Sequence, residues 1–466
     1  MAGITDFKIY VPPYRLNGEL ISSVWGRGNK RASRPIMSFD EDTNTMAVES
    51  ILRDSTWGEI DVDALYYAST SFPYTEKSNA SIVAEATDLK SDIFTAEFSG
   101  SLRSSTTALK SATESIKAGT IKSAAVVASE SRPSFPGSPD ELSLCDCSAT
   151  LFIGEGEKVI AEIENFYSWS EDFVDRWRLP GETSISSGDA KFIQDYGYIR
   201  QTVSTVEGLL KKTGATPEDI AHVVFYSPDL RTSRAINKKL GFPESSYLQS
   251  PTVERIGDAG TVMPFISLIE TLKKAKPGEY IIVTGHGSGG DAILLRATEH
   301  ILNFAFENDL EKALQKQIPL ENYGKILNNF GVTFEDEIKP FTSPSILWKE
   351  NRANMRLLAG KCKVCSEIQY PRQQVCNGCG TRDKWDEVKL PRRGKIFTFV
   401  HDYLPPSPDG YITMATADME GGGRFYAQLT ECKKESVKIG MEVELTFRML
   451  HKGDGFYNYF WKFRPL

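Results

Sequence analysis

Residues 276–292 read KPGEYIIVTGHGSGGDA. Tyr280–Thr284 is a short apolar, β-branched run, and a run of this kind bounded by turn residues reads as a buried strand. It ends in the glycine-rich turn Gly285-His-Gly-Ser-Gly289, which carries His286. Upstream, Val262–Ala275 has helical periodicity and Val223–Ser227 (VVFYS) is again a buried strand. The same texture runs through the first 300 residues. Val62–Ser69 and Ala124–Ser129 read as strands, and Thr106–Gly119 and Arg200–Gly214 as helices with Gly119 and Gly214 as stop signals. Strands alternating with amphipathic helices predict α/β layers. The stretch divides near Ile153–Lys158 into halves that each hold a strand, a long helix and further strands, which predicts a duplicated body with halves at 1–155 and 156–300.

The texture then changes. Residues 301–358 read as a charged helical linker. Residues 359–390 carry Cys362-Lys-Val-Cys365 and Cys376-Asn-Gly-Cys379, the doubled knuckle of a rubredoxin-like zinc ribbon. Four thiolates fill a tetrahedral shell, so the zinc expected on Cys362, Cys365, Cys376 and Cys379 is structural. Residues 391–466 hold short strands with turns between them, as a small OB-fold barrel requires.

Composition narrows the function. The net charge of −8 leaves no excess of cations for a nucleic-acid backbone, despite Arg392, Arg393 and Lys395 beside aromatic residues in the barrel. No apolar run is long enough to span a bilayer, and MAGITDFKIYVPPYRL lacks the layout of a signal peptide. With seven cysteines, four of them in knuckles, the expected compartment is the reducing cytoplasm.

IYVPPYRL (9–16), STSFPYTEKSNASIVAEA (69–86), VVFYSPDLRTSRAINKKLGFP (223–243) and KPGEYIIVTGHGSGGDA (276–292) resemble, as an ordered set, the 3-hydroxy-3-methylglutaryl-CoA synthases, the archaeal type in particular. The resemblance implies a thiolase fold with α-β-α-β-α layers, usually dimeric, with its site between the halves and an acyl-CoA thioester as substrate. It also implies that Arg231, Arg234 and Lys238 hold the phosphates of CoA, although the same residues read equally well as a solvated helix face. The ribbon and barrel resemble modules that accompany thiolases, which makes a partner thiolase a candidate.

The family's catalytic residues do not carry over. Its nucleophilic Cys falls at Leu102, or at Ser99–Ser101 if the segment is two residues longer than usual. Its His falls at Tyr226, its Asn at Asp258 and its general-base Glu at Thr70. Cys145 and Cys147 read as part of a separate loop. Without thiolate and imidazole, acyl transfer loses its route. An aldol or retro-aldol step on a β-hydroxyacyl-CoA, with a small carbonyl compound as second reactant, needs only a base, a donor and enolate stabilisation. Tyr226, Asp258 and His286 supply such groups, and the pattern is similar to thiolase-fold aldolases. Two alternatives stay open here: a condensing enzyme that uses Ser99, Ser101 or Ser104, and a non-catalytic scaffold that binds acyl-CoA.

Overall fold

The computed structural model describes residues 2–52, 60–244, 246, 252–307, 309–327, 341–405 and 407–466. The first half runs β1 (Ala2–Tyr10), α1 (Thr43–Ile51), β2 (Ala64–Ala68), α2 (Asn79–Ala86), β3 (Phe94–Phe98), α3 (Ser104–Lys117), β4 (Ala124–Glu130) and β5 (Cys147–Glu155). The second runs β6 (Ala161–Ser170), α4 (Arg200–Thr213), β7 (Ile220–Val224), α5 (Leu230–Leu240), α6 (Met263–Leu272), β8 (Tyr280–His286) and β9 (Gly289–Ala297). The nine strands form one sheet in the order β7-β8-β9-β6-β1-β5-β4-β2-β3.

That order contains an internal symmetry. Strands β2 and β4 pair in parallel, β4 and β5 antiparallel, and β5 and β1 antiparallel. In the second half, β7 and β8 pair in parallel, β8 and β9 antiparallel, and β9 and β6 antiparallel. The halves meet where β1 pairs with β6 at Gly3 and Ile4. Gly3 is required there, because a Cβ would lie 2.3 Å from the Ala161 carbonyl oxygen. Helices α3 and α6 lie innermost, sharing one core with strands of both halves through Ala108, Leu109, Phe265 and Ile266. Helices α1 and α2 cover one outer face, and α4 and α5 the other. This is the layered thiolase-type body expected from the sequence. Helix α4 stops at Gly214, whose left-handed φ of 76° suits glycine.

Segment 301–358 is helical at Asp309–Gln315, Gly324–Leu327, Pro344–Lys349 and Asn351–Arg356, and departs from the helical expectation at Ile318 and Pro319. Ile318 precedes Pro319, a placement that disfavours helix, and these two residues run as a strand beside Tyr14 and Arg15. Residues 328–340 of this segment lie outside the described residues. Strands β10 (Leu358–Cys362), β11 (Ile368–Gln369) and β12 (Trp385–Lys389) form the ribbon sheet. Strands β13 (Arg393–Asp402), β14 (Ile412–Met419), β15 (Arg424–Leu429), β16 (Glu442–Gly453) and β17 (Phe456–Pro465) close into a barrel in the order β13-β14-β15-β17-β16.

The barrel is bound to the body through buried charge. The guanidinium of Arg448 on β16 is wholly buried and ion-pairs with Glu41 at 3.2 Å and with Glu431. Lys462 on β17 reaches Asp40 at 2.9 Å. Glu49 on α1 takes Arg464 at 3.0 Å and Arg392 at 3.6 Å. Tyr459 donates to Asp42, the N-cap of α1, at 2.6 Å. Burial alone would raise the Glu49 carboxyl, but Arg464, Arg392 and Arg448 outweigh it and hold it at about 2.

Removing one partner of such a network strands the others as uncompensated buried charges. Arg448→Ala is expected to cost about 3–5 kcal/mol in denaturant unfolding. The depressed Glu49 value means that its stabilisation is complete above about 4.5 and is lost as pH falls towards about 2. Glu49→Gln should therefore lower stability at neutral pH and flatten the acid limb of stability against pH in that window.

Candidate active site

In open α/β sheets, ligands bind beyond the carboxyl ends of the strands. Four such ends matter here. Thr70 lies two residues past β2, and Tyr226 lies two residues past β7, its counterpart. Glu130 is the last residue of β4, and His286 the last residue of β8, its counterpart.

The second-half group is buried. The Tyr226 hydroxyl donates to Asp258 Oδ1 at 2.9 Å, and the same oxygen accepts Gly260 N–H at 2.9 Å. The Arg176 guanidinium stands 3.5 Å from the other oxygen of Asp258. Burial, reinforced by the Asp258 carboxylate, pushes the Tyr226 phenol well above its usual value, so Tyr226 stays protonated. The Tyr226 and His286 rings lie parallel within 13°, centroids 6.2 Å apart, and Tyr198 packs on His286 at 4.3 Å. Asp175 Oδ2 is 3.2 Å from His286 Nε2. Burial would raise the Asp175 carboxyl, but the imidazole beside it outweighs this and lowers it.

Leu102 is 9% exposed and lies between two turns of the site. A Cβ on Gly260 would meet Leu102 Cδ2 at 3.1 Å, and one on Gly287 would meet the Leu102 nitrogen at 2.9 Å. The Ser101 hydroxyl donates to the Gly287 carbonyl at 2.9 Å, and the Ser104 hydroxyl donates to the Ser101 carbonyl. A carbonyl oxygen orients a serine but is no base for it. Cys145 and Cys147 are not remote from the site. Leu144 bridges to Asp258, Cys145 N–H donates to the Asp258 carbonyl at 3.1 Å, and Cys147 opens β5. The Cys145 side chain is wholly buried beside Gly257.

In the first-half group Glu130 and Arg132 are buried, and Thr70, Ser71 and Arg178 are half-buried. Glu130 accepts the Thr70 hydroxyl at 2.8 Å, the Ser71 hydroxyl at 2.6 Å and Thr70 N–H at 3.1 Å. Arg178 donates to the Thr70 carbonyl at 2.8 Å. Arg132 is 3% exposed, and its Nε and Nη2 have no hydrogen-bond partner among the described residues. Reading the sequence missed Glu130, Arg132, Asp175, Arg176 and Tyr198. Glu130 and Arg132 had a signal, since charge follows directly on the apolar strand AAVVAS. Asp175, Arg176 and Tyr198 had none, because long-range packing of the segment around Asp175 and of the π-helical turn Ile193–Ile199 brings them in.

Arg231, Arg234 and Lys238 lie on the exposed side of α5, and none makes an ion pair among the described residues. In the ribbon, the sulfurs of Cys362, Cys365, Cys376 and Cys379 lie within 4.8 Å of one another. Cys362 and Cys379 are 3.7 Å apart, and Cys365 and Cys376 3.4 Å. Sulfurs around a tetrahedral zinc at ~2.3 Å stand about 3.8 Å apart, so the cluster fits that ion.

Comparison with known proteins agrees with this architecture. Residues 210–296 match the family described as 3-oxoacyl-[acyl-carrier-protein] synthase III C terminal, and residues 387–448 the ChsH2 C-terminal OB-fold domain. The hydroxymethylglutaryl-CoA synthase of Archaeoglobus fulgidus is 30% identical over 329 residues, which are 68% of this chain and 95% of the relative. That of Methanocaldococcus jannaschii is 30% identical over 313 residues, 65% of this chain and 90% of the relative. A crystal structure of HMG-CoA synthase complexed with CoA has a TM-score of 0.60 at 17% identity, covering 73% of this chain and 92% of that one. The synthase III FabH of Pseudomonas aeruginosa has a TM-score of 0.54 at 19% identity, covering 64% of this chain and 98% of that one.

Gly287 has a φ of 149° and backbone within 2.9 Å of where a Cβ would be. Gly287→Ala should lower unfolding stability by more than about 1 kcal/mol, with the shift read in denaturant titrations.

Proposed function

The chain belongs to the hydroxymethylglutaryl-CoA synthase family, and we propose that it makes or breaks a carbon–carbon bond in a β-hydroxyacyl-CoA by aldol chemistry, with no acyl-enzyme. The observation that carries this reading is Leu102, an apolar side chain packed between the Gly260 and Gly287 turns where the resemblance puts the thiol nucleophile. The serines beside it support the reading, because Ser101 and Ser104 give their protons to carbonyl groups.

An aldol step leaves the thioester intact. In the cleavage direction, the β-hydroxyl passes its proton to the Tyr226 oxygen as the Tyr226 proton moves to Asp258, the bond between the α and β carbons breaks and its electron pair becomes a thioester enolate. The fragment leaves as a carbonyl compound, and the enolate takes a proton at the α-carbon. Tyr226, whose hydroxyl donates to Asp258, is the proton relay at the β-oxygen, taking the hydroxyl proton in cleavage and returning it in bond formation. His286 and the N–H groups of its glycine turn stabilise the enolate oxygen. Arg231, Arg234 and Lys238 meet the CoA phosphates.

The ribbon residues Cys362, Cys365, Cys376 and Cys379 hold one structural zinc. We read the assembly as a homodimer through the first half, where β3 leaves the sheet edge open with Phe94 55% exposed.

Three outcomes follow. Tyr226→Phe should slow release of acetyl-CoA or propionyl-CoA from β-hydroxyacyl-CoA substrates by at least about a hundredfold, leaving thioester binding unchanged. Undiminished release in that variant would remove Tyr226 from the chemistry. Elemental analysis should find about one zinc per chain, and Cys376→Ser should lose it and unfold the ribbon before the body. Sedimentation should give a dimer at micromolar concentration.

A further inference from the structure

The internal symmetry of the sheet places a second polar pair opposite the one just described. Tyr226 and His286 occupy the ends of β7 and β8. At the matching ends of β2 and β4 stand Thr70 and Glu130. The two pairs belong to one site. Arg176 faces Asp258 at 3.5 Å, and Arg178, two residues on in the same segment, bonds to the Thr70 carbonyl at 2.8 Å. The buried Arg132 acts electrostatically on both Glu130 and Tyr226, and its side chain lies 3.1 Å from where a Cβ on Gly260 would stand.

The pair has the polarity of a relay. The Thr70 hydroxyl gives its proton to Glu130 Oε1 at 2.8 Å, so the lone pairs of its oxygen point elsewhere, and no donor reaches them among the described residues. Thr70 is partly exposed, whereas Glu130 is sealed from solvent. Ser71 and Thr70 N–H hold the carboxylate in place. The buried Glu130 carboxyl is raised from its ordinary value, chiefly by desolvation and against the pull of Arg132, which suits a group that must take and return a proton.

Resting on the aldol reading above, we propose that Thr70 is the catalytic residue at the α-carbon of the thioester and that Glu130 is its proton acceptor, acting through the Thr70 hydroxyl. In the bond-forming direction, the α C–H bond breaks and its electron pair stays on the substrate as the enolate. The released proton binds Thr70 Oγ1 as the proton already there passes to Glu130, which becomes neutral. Transfer is concerted, so no free alkoxide forms. The reverse transfer protonates the enolate after cleavage. The first half of the duplicated sheet thus serves the α-carbon and the second half the β-oxygen.

The test is exchange of the α-protons of acetyl-CoA and propionyl-CoA into D2O, followed by NMR with the full-length protein. Wild type should exchange both. Thr70→Val and Glu130→Gln should slow exchange at least about a hundredfold without weakening thioester binding, whereas Thr70→Ser should keep it. Tyr226→Phe should still exchange while failing in the carbon–carbon step, a split that a merely structural role of the relay would not produce. Exchange at the wild-type rate in Thr70→Val or in Glu130→Gln overturns the assignment, and so does a wild type that binds both thioesters without exchanging them. If Glu130→Gln does not fold, the partly exposed Thr70→Val decides alone. The aldol reading falls separately: an acyl group on a serine would end it and leave a relay-dependent exchange standing.

Discussion

Parallel pairing of β2 with β4 and of β7 with β8 governs this molecule. It sends two strand ends to one edge of each half, and the β1–β6 junction brings the halves together. The candidate site is placed by those ends. Thr70 and Glu130 leave one half, Tyr226 and His286 the other, and α3 and α6 fill the space between the halves with apolar packing. The candidate site is therefore built from groups held by strands on one side and by the segment Asp175–Arg178 on the other. Glu130 accepts hydroxyl and N–H donors on both oxygens, and Asp258 accepts them on Oδ1 while its Oδ2 faces the Arg176 guanidinium at 3.5 Å.

The barrel depends on the same body. Its cations Arg448 and Lys462 are buried against Glu41 and Asp40, the half-buried Arg464 reaches the buried Glu49, and Asp42 both caps α1 and accepts Tyr459. Helix α1 is thus a shared element, packed on β4 and β5 from one side and gripped by β16 from the other. A shift of the barrel would disturb α1, whose residue Thr43 takes the Ser129 hydroxyl on its carbonyl, one residue before Glu130.

Much of this was legible in the sequence. The apolar run YIIVT gave β8 because buried parallel strands are apolar throughout, whereas VVFYS meets β7 only at Val223 and Val224, and Phe225–Ser227 lie past the end of the strand. The doubled CxxC spacing put four sulfurs together because two-residue knuckles have little conformational choice. The pairing of Tyr226 with Asp258 was legible only as two substitutions, since 32 residues separate them and no local pattern links them. Glu130 was passed over although a charge at the end of an apolar strand invites attention. Tyr198 comes from the π-helical turn Ile193–Ile199, which a helical periodicity cannot forecast. Cys145 lies in a loop outside the nucleophile segment, as expected, while Cys147 opens β5, and the long-range bridge from Leu144 to Asp258 brings that loop beside the site.

The central claim is that the carbon–carbon step leaves the thioester whole. Intact-protein mass spectrometry on samples quenched during turnover tests it directly. The account predicts the unmodified chain mass at every time point with every acyl-CoA that turns over. A mass increased by one acyl group, formed and lost at the rate of turnover, would contradict it.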